Sequence, residues 1–368
     1  MNILSIKDLW KRTENRFELK DVSLAIYENE WLLITGPVNE GKEALQKILL
    51  GFDEDWHGTI YFESENIKKI ENYSEQVAFI HNHFVEVGIK DNIYHYLALP
   101  LRLKGLTEQE IYRNIRKVTE ETFINLNFHT FVKDLSFREK LIVALLRAIL
   151  TKPKLLIIEE PFFELTNNKR KIVISVFKKF LRNWNGSTVV IFSSYTSEWF
   201  EVCDRAILMN HQSIVQIGEK KELLDNPQQI FVTKYIDRTA ITYIKGCFKA
   251  NAFFSKGLTF TVPYYLQKGL LLFEGQTVFI GMKAMCFQNI DELCINKEDG
   301  FTVSLPIHFL KETDDHYTVY SNIGGEPLVA EIKNNGKIYE GQNLLLHYSY
   351  KDLLFFDGVT EIKLKRRG

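Results

Sequence analysis

The pattern of apolar and polar positions changes character along the chain. Before about residue 235, short apolar runs stand out at Trp31–Thr35, Val77–Ile80, Leu155–Ile158 and Thr188–Phe192. They are partly β-branched and unbroken by alternation, which suits strands buried on both faces of a sheet. Between them, Glu108–Glu121, Lys140–Leu150 and Lys169–Trp184 read as helices. Strands alternating with helices predict an α/β layer structure. After about Ile236 the pattern becomes one of short β-rich or alternating segments: Gly257–Val262, Thr277–Gly281, Phe301–Leu305, Tyr317–Ser321, Val329–Ile332 and Asn343–Tyr348. Turn residues such as Gly324-Gly325 and Asp357-Gly358 separate them. The expected organisation is an α/β domain over 1–236 and an all-β domain of small barrels over 237–368.

Composition narrows the function classes. A length of 368 residues suits two domains, and 45% hydrophobic with 25% charged residues is ordinary for a chain with a sizeable core. The formal net charge is −1, without the basic excess of a general nucleic-acid binder, so no nucleic-acid partner is expected. The dense basic run Lys363, Lys365, Arg366 and Arg367 reads as a solvated tail. Cys203, Cys247, Cys286 and Cys294 form no CxxC pair and read as reduced thiols in a cytosolic protein. The chain opens without a signal-peptide pattern and holds no run of about 18 apolar residues. A membrane role would therefore come through a partner.

Chemistry first surfaces at Gly36-Pro37-Val38-Asn39-Glu40-Gly41-Lys42-Glu43-Ala44, a GxxxxGK run between a strand and a helical segment. Glycines there let backbone N–H groups close around a phosphate, and the lysine neutralises its charge. The next position should offer a hydroxyl to Mg²⁺, and here it is Glu43. Glu40 and Glu43 both bring carboxylates to the loop. Two unit charges about 4 Å apart interact by about 4 kcal/mol at an effective dielectric near 20, so one such repulsion would cost much phosphate affinity. A loop in which Lys42 pairs with its own glutamates and no nucleotide binds is the competing reading. Asn39, where glycine is usual, tolerates a positive φ. Leu155–Ile158 then runs into Glu159-Glu160-Pro161, an apolar strand ending in two acids. In P-loop ATPases the first acid holds Mg²⁺ and a following glutamate polarises the attacking water.

Taken in order, these segments resemble the ATP-binding-cassette (ABC) subunits of importers, of the maltose/glycerol-phosphate type. The resemblance runs through Walker A (Gly36–Glu43), a Q-loop region (Val77–Phe84), a signature segment (Leu135–Glu139), Walker B (Leu155–Glu160) and a switch region (Thr188–Tyr195). Asp204–Asn210 followed by Ile214–Gly218, Ile89–Ile93 and Leu99–Gly105 are similar to further segments of the family. Glu274–Lys283 and Leu353–Asp357 resemble its C-terminal regulatory, TOBE-type domain, which implies an OB-like fold there. The departures fall on the chemistry. The resemblance places the Mg²⁺ hydroxyl at Glu43, the Walker B aspartate at Glu159, the Q-loop glutamine at Asn82, the D-loop aspartate at Thr166 and the switch histidine at Ser194. Where the family has LSGGQ this chain has Leu135-Ser136-Phe137-Arg138-Glu139, with bulk where glycines admit a phosphate. No clear match exists for the adenine-stacking aromatic; Thr13 falls near it, with Trp10 and Phe17 close by.

What the resemblance implies is a cytoplasmic-face subunit, peripheral to the membrane, that binds ATP and Mg²⁺ weakly or not at all. Nucleotide would meet Gly36, Asn39, Gly41, Lys42, Glu43, Ala44, Asn82 and Ser136; Mg²⁺ would meet Glu43 and Glu159; Glu160 and Ser194 stand at the catalytic positions. Its partners would be membrane-spanning importer subunits and a second, more complete ATPase subunit. A divergent but active homodimer is the second reading, and a regulator acting through the all-β domain the third. A groove around Asn82–Leu103, with Phe84, Val85, Tyr94 and Tyr96 taken as exposed, would receive the membrane subunit. His81, His83 and Glu86 supply too few ligands for a metal site, and the aromatics near residues 253, 264 and 355 read as core.

Overall fold

The computed structural model describes all residues except 15, 82–89, 123, 161–164, 183–187, 195–197, 290–298, 314, 335–336 and 365–368, and of 180–182 the backbone alone. It divides into two compact units, Met1–Lys220 and Lys221–Gly368.

The first unit runs β1 (Asn2–Arg12), β2 (Phe17–Tyr27), β3 (Trp31–Thr35), α1 (Lys42–Leu49), β4 (His57–Phe62), β5 (Glu65–Asn66), α2 (Tyr73–Gln76), β6 (Val77–Ile80), α3 (Ile93–Leu103), α4 (Glu108–Glu121), α5 (Phe137–Leu150), β7 (Leu155–Glu159), α6 (Asn167–Arg182), β8 (Thr188–Phe192), β9 (Arg205–Asn210) and β10 (Ser213–Gly218). Six strands form one sheet in the order β10-β9-β3-β8-β7-β6. All its pairings are parallel except that of β10 with β9. Three of the four apolar runs expected to be covered on both faces are so: all of β8, the last four residues of β3 and the first four of β7 are buried, whereas β6, at the edge of the sheet, alternates half-buried and buried residues. A second, antiparallel sheet in the order β2-β1-β4-β5 packs into a shared core with α1 and the parallel strands. Because β8 lies between β3 and β7, the loops that follow these three strands open side by side at the carboxyl end of the sheet. That is the edge where open α/β sheets bind ligands.

The second unit begins with α7 (Lys220–Asp225, whose first residue closes the first unit) and α8 (Ile230–Ile236). The expected boundary after residue 236 falls later than this division. Ile230 of α8 is buried with Ile241, Leu354 and Phe356, which ties the helix to the C-terminal sheets. There follow β11 (Ile241–Lys249), β12 (Ala252–Ser255), β13 (Leu258–Thr261), α9 (Tyr264–Leu270), β14 (Thr277–Lys283), β15 (Phe287–Asn289), β16 (Gly300–Pro306), β17 (Phe309–Glu312), β18 (His316–Ile323), β19 (Glu326–Lys333), β20 (Asn343–Ser349) and β21 (Leu354–Asp357). They make three antiparallel sheets, β13-β12-β11-β14-β21, β15-β20-β16 and β17-β18-β19. One core, with Phe248, Phe253, Val278, Ile280, Val319 and Leu346 at its centre, joins all three. Phe253, Phe355 and Phe356 are core residues, as expected, whereas Phe254, Tyr264 and Tyr265, also expected in the core, are exposed.

Candidate functional site

Glycine is dictated by close approach at the loop between β3 and α1. A Cβ on Gly36 would lie 2.2 Å from the carbonyl oxygen of Met209 on β9. Gly41 has φ +107°, and its Cβ would meet Glu18 O and Met209 Cε at 3.1 Å. Asn39 takes φ +64°, in the left-handed region that asparagine tolerates. Gly36→Ala must push backbone away from backbone, so an overpacking cost of about 3 kcal/mol is expected. A urea titration in which the alanine variant melts with the wild type would contradict this.

The loop delivers Lys42 into the interior. Its side chain is 4% exposed, and its Nζ lies 2.5 Å from Glu43 Oε1 and 3.9 Å from Glu160 Oε1. Glu43 is in the first turn of α1, and the same Oε1 accepts the Asn39 N–H at 3.4 Å. Its other oxygen, Oε2, is buried without a hydrogen-bond partner among the described residues. The two loop glutamates therefore part company: Glu43 turns into the loop, while Glu40 accepts the Gln212 amide at 3.1 Å. Ala44 is buried on α1.

Glu160 follows β7 with φ +31°. Its N–H donates to Phe192 O at 2.7 Å. Its carboxylate accepts the Ser194 N–H at 2.5 Å and the Ser193 hydroxyl at 3.3 Å. It thus clamps the ends of β7 and β8 together beside Lys42. Glu159 Oε2 lies 3.5 Å from His81 Nε2. Ser136 is the N-cap of α5 in a reciprocal capping box: its hydroxyl donates to Glu139 Oε2 at 2.6 Å, and its N–H at 2.8 Å. Those bonds hold the Glu139 carboxyl below its ordinary range. Phe137 opens the helix with Lys169 Nζ 5.3 Å from its ring centre. Trp10 and Phe17 meet edge to face at 5.9 Å, with Arg12 and Lys20 over the Phe17 ring.

Residues Gly36, Asn39, Gly41, Lys42, Glu43, Ala44, Glu160 and Ser194 are thus gathered at the carboxyl end of the sheet. Asn82, His83, Phe84, Val85 and Glu86 lie outside the described residues. Tyr96, expected to be exposed, is buried, with Arg147 stacked 4.4 Å from its ring centre. Between β6, α3 and α5 a cleft of about 310 Å³ is lined by Phe79, His81, Tyr96, Pro100 and Arg147. Gln212, Ser193 and His81 reach the site through contacts that no local spacing announces. Among the described residues no cluster of three or more His, Cys, Asp or Glu could hold a metal ion.

A glycine loop carrying a buried lysine between the first parallel strand and its helix defines a P-loop nucleotide-binding fold. Residues 19–163 match the family described as ABC transporter. The spermidine/putrescine import ATP-binding protein PotA of Mesoplasma florum is 30% identical over 243 residues, 65% of this chain and 68% of that protein. The trehalose/maltose import ATP-binding protein MalK of Thermococcus litoralis is 22% identical over 362 residues, 96% of this chain and 97% of its own. Among solved structures, cbiO1 of Clostridium perfringens, part of the ABC transporter complex cbiONQ, superposes with a TM-score of 0.53 at 20% identity, covering 61% of this chain and 91% of that one. The chain belongs to the ABC transporter family, as an ATP-binding subunit of the importer kind.

That family uses ATP, usually with Mg²⁺. The residues present do not fit the group as they are arranged here. The position that should offer a hydroxyl carries a carboxylate, and that carboxylate already takes the lysine ammonium and a loop N–H. No helix among the described residues is long and apolar enough to cross a membrane.

Proposed function

We propose that this chain is a degenerate ATP-binding-cassette subunit of a carbohydrate importer. It sits at the cytoplasmic face beneath membrane-spanning subunits and pairs with a more complete ATPase subunit that carries the turnover. One observation supports this above the others. The scaffold that holds a cassette together is intact, while Lys42 and Glu160, the two groups that should act on nucleotide, are bound to the chain's own side chains and backbone. Binding of Mg-ATP to the isolated chain is weak on this reading. The all-β unit serves as its TOBE-type, OB-like regulatory domain. The carbohydrate reading rests on likeness to the trehalose/maltose importer subunit over nearly the whole chain. The higher identity to polyamine-import proteins over 243 residues favours a polyamine as the second reading. Uptake of labelled maltose against labelled spermidine by cells lacking the protein separates the two.

Docking to the membrane subunits is assigned to the face of α3 beside the cleft. Leu99 and Leu103, one turn apart on the helix, are 42% and 81% exposed there and offer an apolar pair to a partner. The helix is braced from its other side, where Arg102 and the Tyr94 hydroxyl both bond Glu108. The variant Leu99→Glu with Leu103→Glu should leave the melting temperature unchanged and reduce recovery in the membrane fraction about tenfold, as a desolvated charge at a docking centre would. Membrane recovery equal to wild type would remove the docking assignment.

A further inference from the structure

The phosphate loop contains an anion, and the anion is part of the chain. One carboxylate engages the lysine and one N–H of the loop: Glu43 Oε1 holds the Lys42 ammonium at 2.5 Å and the Asn39 N–H at 3.4 Å. The lysine has nowhere else to go. Its side chain is 4% exposed, and its second anionic neighbour, Glu160, is itself tied to Ser193 and Ser194. Glu43 stands at the first turn of α1, where the helix dipole also favours negative charge. Glu40 is held outside this arrangement by Gln212.

We infer that Glu43 is the resident anion of the loop, an internal stand-in for nucleotide phosphate that keeps the loop folded and closed to phosphate from solution. The inference rests on the proposed reading of the chain as a degenerate cassette and explains how the degenerate loop stays folded. A carboxylate adjacent in sequence to the lysine binds without losing translational freedom, so it outcompetes a free ligand of similar charge. An incoming phosphate must displace it and then face it across the same small site. The loop therefore needs no nucleotide for its structure, unlike a loop whose lysine and N–H groups await one.

The test uses the full chain and two probes, inorganic pyrophosphate and Mg-ATP, read by calorimetry and by the shift in melting temperature. Wild type should give no heat and no shift with millimolar pyrophosphate. Glu43→Ser and Glu43→Gln should each bind pyrophosphate at least about tenfold more tightly than wild type, since each removes the resident charge. Each should also melt lower than wild type without ligand and recover with pyrophosphate. Glu40→Gln should behave as wild type. Circular dichroism establishes that the variants are folded, and the glutamine variant keeps the shape of the glutamate if serine proves too disruptive. The inference is overturned if wild type binds either probe as tightly as the variants do, or if both folded variants gain nothing. A gain confined to the serine variant also overturns it, because glutamine removes the same charge. Tight binding of Mg-ATP by the wild type would overturn the degenerate reading as well, whereas folded variants that gain nothing would overturn this inference alone; membrane recovery tests the importer-subunit reading separately.

Discussion

If the chain pairs with a complete ATPase subunit, as proposed, replacing that subunit's Walker B glutamate by glutamine should abolish ATP hydrolysis in the complex, whereas Glu160→Gln in this chain should change it little. The expectation follows from how the sites divide between two chains. A cassette sandwich takes Walker motifs from one chain and a signature from the other. One mixed site therefore uses this chain's loop, in which Glu43 neutralises Lys42 and Glu160 is spent on Ser194 and Ser193. A carboxylate that accepts two hydrogen bonds and faces an ammonium is poorly placed to take a proton from water. The other mixed site joins complete Walker residues to Leu135–Glu139 here, so its defect is steric and local: Phe137 and Arg138 stand at the mouth of α5. Removing a catalytic base costs about 10²–10⁴ in rate, and that loss should appear in the partner's variant alone. Glu160→Gln keeps an oxygen to accept the Ser194 N–H, so the clamp between β7 and β8 survives it. Equal losses from the two variants would place chemistry at both sites. A native assembly containing only copies of this chain would remove the asymmetry from which the expectation is drawn.

Much of the first unit is legible in the sequence because its central strands are buried on both faces. β3, β7 and β8 carry no polar interruption, and a run of that kind has few alternatives. The β1–β2 ribbon was not legible. Its alternation is broken by register shifts, one between Ile6 and Leu9, with Asp8 and Asp21 at positive φ. A bulge moves every later side chain to the opposite face, and the period of two disappears. The phosphate loop could be found by spacing alone, since two glycines and a lysine fix its shape. Which glutamate enters it could not, because Glu40 is drawn aside by Gln212, which is 172 positions away in the chain. The same limit explains Tyr96, whose ring is covered by Arg147 of α5, 51 positions away in the chain. Ser136 and Glu139 were visible as a degenerate signature. Their spacing is equally that of a capping box, and that local role is the one the structure displays.

Arg205→Met should lower the stability of the first unit by about 3 kcal/mol, the lower end for breaking a buried ion pair. Asp204 and Arg205 matched a family segment without any evident task, and the structure supplies one. Arg205 grips Glu30 with two nitrogens, Nε at 2.5 Å from Oε1 and a terminal nitrogen at 3.1 Å from Oε2. It also donates to Ala25 O at 2.9 Å and lies 4.6 Å from the Tyr27 ring centre. Asp204 accepts the Trp31 N–H at 2.8 Å. Together the two residues fasten the start of β9 to β3 and to the end of β2, beneath the sheet whose opposite end carries the phosphate loop. Glu30 is only 7% exposed, so loss of its partner leaves a carboxylate with little water to solvate it. Unfolding in urea can be followed for this unit by itself, because all five tryptophans of the chain precede residue 200. The decisive comparison is a double-mutant cycle with Glu30→Gln, which keeps the hydrogen bond from the Tyr27 N–H but removes the charge. In that background Arg205→Met should cost about 1 kcal/mol, leaving a coupling of about 2 kcal/mol between the two side chains. A coupling near zero would mean that Arg205 acts through packing on Tyr27 and its bond to Ala25, and that the charge of Glu30 is carried by water after all.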